Sequence, residues 1–155
     1  MRMPLEIYVV RGHSMRPSLR EGDVLIVRSL RPGARLKRGD IVAALDPRER
    51  TRRTLKRVIG LSGEEIALVD GELLVNGAAL PEPYLRGGPP YLGEGGLRLR
   101  LGAGEVFLMG DNRLQSTDSR DYGPVHVADV LGRVRWRLWA GKPRSGAGAS
   151  PASRP

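Results

Sequence analysis

The stretch Ile66–Val75, IALVDGELLV, decides the fold class. Two short apolar runs, Ile66–Val69 and Glu72–Val75, flank the dipeptide Asp70-Gly71. Asp-Gly suits a two-residue turn with positive φ at both central positions, and the twist of such a turn matches that of the strands it joins. The stretch therefore predicts a β-hairpin. Asn76-Gly77 follows at once and predicts a second turn of the same chemistry.

Outward from the hairpin the pattern repeats. Ile7–Val10, Val24–Arg28, Ile41–Leu45, Thr54–Leu61, Leu97–Leu101, Val106–Met109, Val125–Val130 and Leu131–Leu138 are short apolar or alternating runs. Each is bounded by Gly, Pro or Asp, as strands between turns are. Arg48–Arg53 reads as an exposed basic connection and Pro81–Gly96 as a loop. One short helical turn is expected after Ser14. The prediction is an all-β fold, mainly antiparallel, with little helix. The 21 glycines and 12 prolines among 155 residues fit many turns rather than long helices. Residues 1–140 are expected to form one domain. Residues 141–155, built only of Gly, Ala, Ser, Pro, Lys and Arg, cannot bury apolar surface and are expected to be a disordered tail.

Several function classes drop out. With no cysteine, thiol catalysis, disulfide scaffolds, zinc ribbons and iron–sulfur sites are all excluded. The two histidines, His13 and His126, lack carboxylates at ligand spacing, so no metal site is expected. The longest apolar run, Ile41–Leu45, is far short of the roughly 18–20 residues of a spanning helix. No transmembrane segment and no signal peptide are expected. The formal net charge is +9, yet the basic residues are scattered and aromatics are few. Nucleic-acid binding wants a basic patch interleaved with aromatics, so no nucleic-acid partner is expected. Attraction to an anionic membrane surface remains.

Three segments hold the chemistry. Ser14 follows a strand and a glycine and precedes Met15 and Pro17, a setting in which a turn can expose the hydroxyl. A serine nucleophile needs a base. His13 is adjacent, and neighbours on an extended segment point apart. His126, in VHVADV, alternates away from its valines toward solvent. Lys56 stands inside the apolar run TLKRVIGL. If buried, it would lose charge, because desolvation lowers a lysine pKa from about 10.4 by several units; otherwise it snorkels outward. The third segment, Gly104–Val125, crowds Asp, Asn, Ser and Arg after a strand that ends at Gly110. It lacks the mid-loop glycine and terminal glutamate of a calcium loop. A network of hydrogen bonds and ion pairs is the alternative.

Together these segments resemble the type I signal peptidases, serine proteases with a Ser-Lys dyad. GHSMRPSLREGD (Gly12–Asp23) is similar to the family's nucleophile box, RGDIVAALDP (Arg38–Pro47) to the next, LKRVIGLSGEEI (Leu55–Ile66) to the lysine box, and GDNRLQSTDSRDYGPV (Gly110–Val125) to the last; VNGAALPEPYL (Val75–Leu85) also fits. The order and spacing match over about residues 8–138. The resemblance implies Ser14 as nucleophile and Lys56 as general base. It implies that Ser116 orients the amine, that Gly110 leaves room for the lysine chain, that Asp118 and Arg120 form a structural ion pair, and that Arg57 supports the same network. The Ser14 backbone N–H would contribute to the oxyanion hole, with Gly12 where some members carry a hydroxyl.

The implied activity is removal of signal peptides from exported preproteins after small residues, with no cofactor. The implied location is the extracytoplasmic face of the cell membrane, here in a truncated or soluble form. Alternatives are a self-cleaving protease of the SOS-repressor type and a catalytically inactive basic binding module.

Overall fold

The computed structural model of the chain describes residues 3–88 and 96–140. Eleven strands occur among them: β1 (Leu5–Val9), β2 (Val24–Ser29), β3 (Ile41–Asp46), β4 (Glu49–Gly60), β5 (Glu65–Val69), β6 (Glu72–Val75), β7 (Ala78–Ala79), β8 (Leu97–Arg100), β9 (Glu105–Met109), β10 (Val125–His126) and β11 (Val130–Trp139). A seven-stranded sheet runs β1-β2-β11-β3-β4-β9-β10 and a four-stranded one β7-β6-β5-β8. Every pairing is antiparallel. The expected tail, 141–155, and residues 89–95 of the expected loop lie outside the described residues.

The deciding hairpin forms as read. Ile66 pairs with Val75 and Val69 with Glu72. Asp70 and Gly71 both take positive φ, 50° and 79°, and Asn76 and Gly77 repeat this at 50° and 81° before β7.

Where the two sheets meet, the second half of β4, from Lys56 to Gly60, and β9 are buried on both faces. Val58, Val106 and Leu108 belong to one apolar cluster, with Val42, Ala44, Val125 and Val130. Their neighbours in sequence, Ile59, Phe107 and Met109, belong to a second, with Ile66, Leu68 and Leu101 from the smaller sheet's side. Alternate residues of a strand point to opposite faces, so only a strand covered on both sides can be apolar throughout. Each such side chain contributes about 1.5–3 kcal/mol on burial. A third cluster, Val10, Met15, Leu19 and Leu25, anchors the segment between β1 and β2.

Three local expectations need correction. Arg48–Arg53 is not a connection: β4 starts at Glu49, and the turn is confined to Asp46–Glu49, which pair across it. Its arginines are exposed, as read, but the backbone is held by β3. After Ser14 there is no helix, only turns with a single Leu19 N–H to Met15 C=O bond of 2.9 Å. The α-helical turn, α1, falls at Ser119–Tyr122, where Asp118 and Asp121 form a reciprocal capping box. Finally, Val125–Val130 is not one strand. Val127 N–H turns to Gly104 C=O (2.7 Å), and a 3-10 turn at Val127–Asp129 intervenes.

Gly132 of β11 marks the closest approach within the sheet. A Cβ there would lie 2.6 Å from Val27 Cγ1 and 2.8 Å from the Arg28 carbonyl oxygen. The carbonyl belongs to a paired strand and cannot swing away. Gly132→Ala is therefore expected to destabilise the fold by about 1–3 kcal/mol, the usual cost of overpacking. Urea unfolding measures this, and an unchanged midpoint would mean that β2 and β11 have room to part.

Candidate active site

The chain leaves β1 through Gly12, which takes φ +74° with open space around it. Val10 N–H donates to Asp23 C=O and Gly22 N–H to Val10 C=O, tying the two ends of the 11–21 segment together. Met15 and Leu19 are buried beneath, so Ser14 sits half-buried just before an anchored residue. From the other side, Asn112 N–H donates to Ser14 C=O (2.9 Å) and Asn112 Nδ2 to His13 C=O (3.1 Å).

Lys56 pairs with Val42 on β3 and is buried, only 4% exposed. It does not snorkel. Its Nζ lies 3.3 Å from Ser14 Oγ and 3.2 Å from the Leu55 carbonyl oxygen. Burial holds the Lys56 pKa below the ordinary lysine range. The Asp118 and Asp46 carboxylates work against that shift, and the Arg52 and Arg120 guanidiniums add to it.

These two side chains meet at the wall of an open cleft of about 740 Å³, lined also by Ile7, Tyr8, Val9, Arg52 and Thr54. Two strand edges face it. Among the described residues β1 ends the sheet, and β4 meets β9 only at Arg57, Val58 and Gly60, leaving its first half without a strand neighbour on that side. Arg53 spans the gap, donating to Glu6 Oε2 (3.0 Å) and the Tyr8 hydroxyl (2.9 Å).

The last motif braces this arrangement. Asp118, wholly buried, accepts from Arg120 Nε and Nη2 at 2.9 Å each, from the Gly110 N–H at 2.9 Å and from Ser116 Oγ at 2.9 Å. The Asp118–Arg120 pair thus exists as the resemblance implies. Ser116 and Gly110 lie beside this pair, and Arg57 ties β4 to the start of the last motif. The Ser116 hydroxyl donates to Asp118, and Lys56 makes its hydrogen bonds to Ser14 and Leu55. A Cβ on Gly110 would run into the Ser116 side chain and lie 2.6 Å from the Ser14 carbonyl oxygen, so its missing side chain leaves space beside the nucleophile segment. Arg57, one residue from Lys56, points to the other side of β4. It donates to Asp111 (2.8 and 2.7 Å) and Gly39 C=O (2.7 Å), and its guanidinium stacks 3.9 Å from the Tyr84 ring centre.

Asp111, with Ser18 donating to it, and the buried Arg113–Glu82 pair escaped the sequence reading. A signal existed: an acid and an aromatic sit together in PEPYL, and long-range ion pairs need such residues in otherwise apolar or turn-rich stretches. The carboxylates of the last motif are all engaged with protein groups, Asp121 with the Asp118 N–H. That is the hydrogen-bonded network weighed against a calcium loop. His13 and His126 are both exposed, and His126 lies on β10, at the opposite end of the sheet order from β1.

A β-sheet scaffold that sets a serine hydroxyl against a buried amine at an open cleft pairs a nucleophile with a base, an arrangement that hydrolases use. Comparison with known proteins is more specific. The family model for signal peptidase, peptidase S26, matches residues 2–139. A signal peptidase I of Bacillus caldolyticus is 38% identical over 144 residues, covering 85% of this chain and 78% of that protein. The mitochondrial inner membrane protease subunit 1 of Xenopus tropicalis is 34% identical over 136 residues, covering 86% and 69%. The crystal structure of a signal peptidase I from Enterococcus faecalis V583 superposes with a TM-score of 0.56 at 32% identity, covering 66% of this chain and 98% of that one. The chain belongs to the signal peptidase family, peptidase S26, and is a serine endopeptidase.

The buried amine has a thermodynamic signature. The folded-state pKa of Lys56 is lowered and the unfolded value is about 10.4, so between the two the unfolded chain holds a proton the folded chain lacks. Raising pH through that window favours the folded state, by at most about 1.4 kcal/mol per pH unit, and the effect ends above 10.4. Stability of the native chain is expected to gain on that of Lys56→Met as pH rises. Parallel pH–stability curves for the two would show Lys56 to be solvated.

Proposed function

We propose that this chain removes N-terminal signal peptides from exported preproteins, with Ser14 as nucleophile and Lys56 as general base. The observation that carries this reading is the 3.3 Å approach of a buried lysine amine to a serine hydroxyl at the wall of a cleft. Among the described residues neither histidine side chain hydrogen-bonds Ser14 Oγ, whereas Lys56 does.

The preprotein binds extended, adding a strand beside β1 and the Ser14 segment through the unpaired edge. Shallow apolar subsites admit small residues and exclude bulk. Desolvation keeps the Lys56 amine neutral, so its lone pair takes the Ser14 proton as Oγ attacks the scissile carbonyl carbon. The charge that develops on the carbonyl oxygen accepts a hydrogen bond from the Ser14 backbone N–H. Lys56 then gives its proton to the leaving nitrogen, the C–N bond breaks and the mature chain departs with a free amine. The signal peptide remains as an ester on Ser14. A water molecule attacks that ester, Lys56 takes the water's proton and returns it to Oγ, and the signal peptide leaves with a new carboxylate. Asp118 and Arg120 act as positioning residues: they hold Gly110 and Ser116 against the Ser14 carbonyl.

The outer face of the sheet fits work at a membrane. Ile7, Ile26 and Trp136 lie in register across β1, β2 and β11, as do Val9, Val24 and Trp139. Ile7, Val9, Trp136 and Trp139 are each more than half exposed, beside Leu5 and Leu138. Contiguous apolar surface of this kind marks an interaction site, and tryptophan favours the interface between lipid and water. No helix among the described residues is long and apolar enough to span a bilayer. The sheet face is the group that rests on the surface, on the side where preproteins emerge.

Ser14→Ala and Lys56→Met should each abolish cleavage of a preprotein, and the double variant should be no worse than either, because both belong to one proton-transfer unit. Full activity in Lys56→Met would reopen the choice of base. For the native chain, kcat/KM should rise with pH along a limb well below the ordinary lysine value of about 10.4, because burial lowers the Lys56 pKa. A limb near 10 would contradict a desolvated base.

A further inference from the structure

A second concavity, of about 580 Å³, opens where the start of β1 meets the end of β2 and the middle of β11. Arg28, Arg31, Arg35, Arg133 and Arg135 line it, together with apolar walls that include Leu5, and among the described residues its lining holds no carboxylate side chain. This is not merely an arginine-rich composition showing itself. On the β3–β4 hairpin, Arg48, Arg50 and Arg53 each pair with an acid, and among the described residues Arg52 does not. In the concavity only Arg133 does, with Asp40 at 2.9 Å. Among the described residues no carboxylate pairs with Arg28, Arg31, Arg35 or Arg135. Arg28 and Arg133 are moreover direct partners across β2 and β11. Like charges set opposite each other weaken a sheet unless something of opposite sign bridges them.

The position of the cluster says what that something is. Leu5, Arg28 and Arg133 form one row across three strands, and Ile7, Ile26 and Trp136 form the next row on the same face. The rows are two residues apart, roughly 7 Å along the strands. One face thus passes from exposed apolar side chains to a concave cluster of guanidiniums. Guanidinium forks match phosphate oxygens two at a time. A ligand that joins a phosphate to acyl chains fits both parts. The lack of a carboxylate disfavours head groups that carry an ammonium beside the phosphate.

We propose that this concavity binds the phosphate of an anionic phospholipid head group and so seats the β1-β2-β11 face on the membrane. The proposal rests on the membrane reading of that face and adds a specific lipid site to it.

The test uses the full chain and vesicles of phosphatidylcholine, with or without phosphatidylglycerol, at physiological salt, where diffuse attraction is screened over about 8 Å. Arg28→Gln/Arg35→Gln is compared with Arg98→Gln/Arg100→Gln, which removes the same charge from β8 on the other sheet. The first should lose roughly tenfold or more in affinity for phosphatidylglycerol vesicles, since each basic group at such a surface is worth about fivefold. The second should change little, and neither should change binding to pure phosphatidylcholine. Equal losses in the two would mean diffuse charge and overturn the site. Inorganic phosphate gives the second arm: protection of the native chain but not of Arg28→Gln/Arg35→Gln against thermal unfolding, with no difference on vesicles, would assign the pocket to free phosphate and overturn the lipid. Ile7→Ser/Trp136→Ser tests the face alone. If it abolishes vesicle binding and the arginine variant does not, the membrane reading stands and the lipid site fails. If the native chain binds no vesicles, both fail. Cleavage of a soluble peptide, read without lipid, should be unchanged in the arginine variants, which reports that they fold.

Discussion

Burial of the second half of β4, and of β9, on both faces is the constraint from which the site follows. A strand covered on both sides has no route to water for any side chain along it. Val58, Ile59, Phe107 and Leu108 accept that without cost. Lys56 and Arg57 lie on the same strand at the point where cover begins, and they resolve the problem differently. Arg57 cannot lose its charge and is met by a buried carboxylate, Asp111, in bidentate contact. Lys56 has no carboxylate in contact among the described residues, and its amine can shed a proton instead. One strand thus yields a permanently charged brace on one face and an amine poised to lose its charge on the other, with no residue type in common beyond a long basic chain.

The ion pairs around the site are better understood as geometry than as stability. Taking two charges out of water costs several kcal/mol per ion, which their attraction repays only when every remaining lone pair is satisfied. Asp118 meets that condition, with five donors: the Arg120 guanidinium twice, the Arg120 and Gly110 backbone N–H groups and the Ser116 hydroxyl. The benefit is position. Gly110, held by Asp118, leaves the space into which Ser116 and the Ser14 carbonyl fit, and Asn112, two residues on, holds that same carbonyl. The serine is therefore located from beneath by Met15 and Leu19 and from the side by the last motif.

Unpaired strand edges are ordinarily a hazard for aggregation. Here two of them, β1 and the first half of β4, face one cleft, and Arg53 ties β4 to Glu6 and Tyr8 of β1 across it. The same β1 presents its apolar side outward. A single five-residue strand therefore borders the cleft along one edge and forms part of the exposed apolar sheet face.

Much of this was legible in the chain. Asp70-Gly71 and Asn76-Gly77 dictate their turns because few residues other than Gly, Asn and Asp tolerate two successive positive φ angles, so the hairpin is a local matter. The alternating and apolar runs identify strands because their period is a property of the backbone. Ser14, Lys56, Asp118 and Arg120 could be singled out by motif. What the chain could not state is which way a lysine in an apolar run points: Lys56 in TLKRVIGL is compatible with snorkelling or burial, and the choice is made by β3, by β9 and by the segment around Ser14, all remote in sequence and brought to Lys56 only by the fold. Arg48–Arg53 reads as a connection because its exposed arginines hide a strand whose pairing depends on β3. The partners of Arg57, the role of Gly110's missing side chain and the meeting of five arginines beside Leu5 are likewise decided by tertiary structure, because each depends on chain segments that come together only after the sheets close.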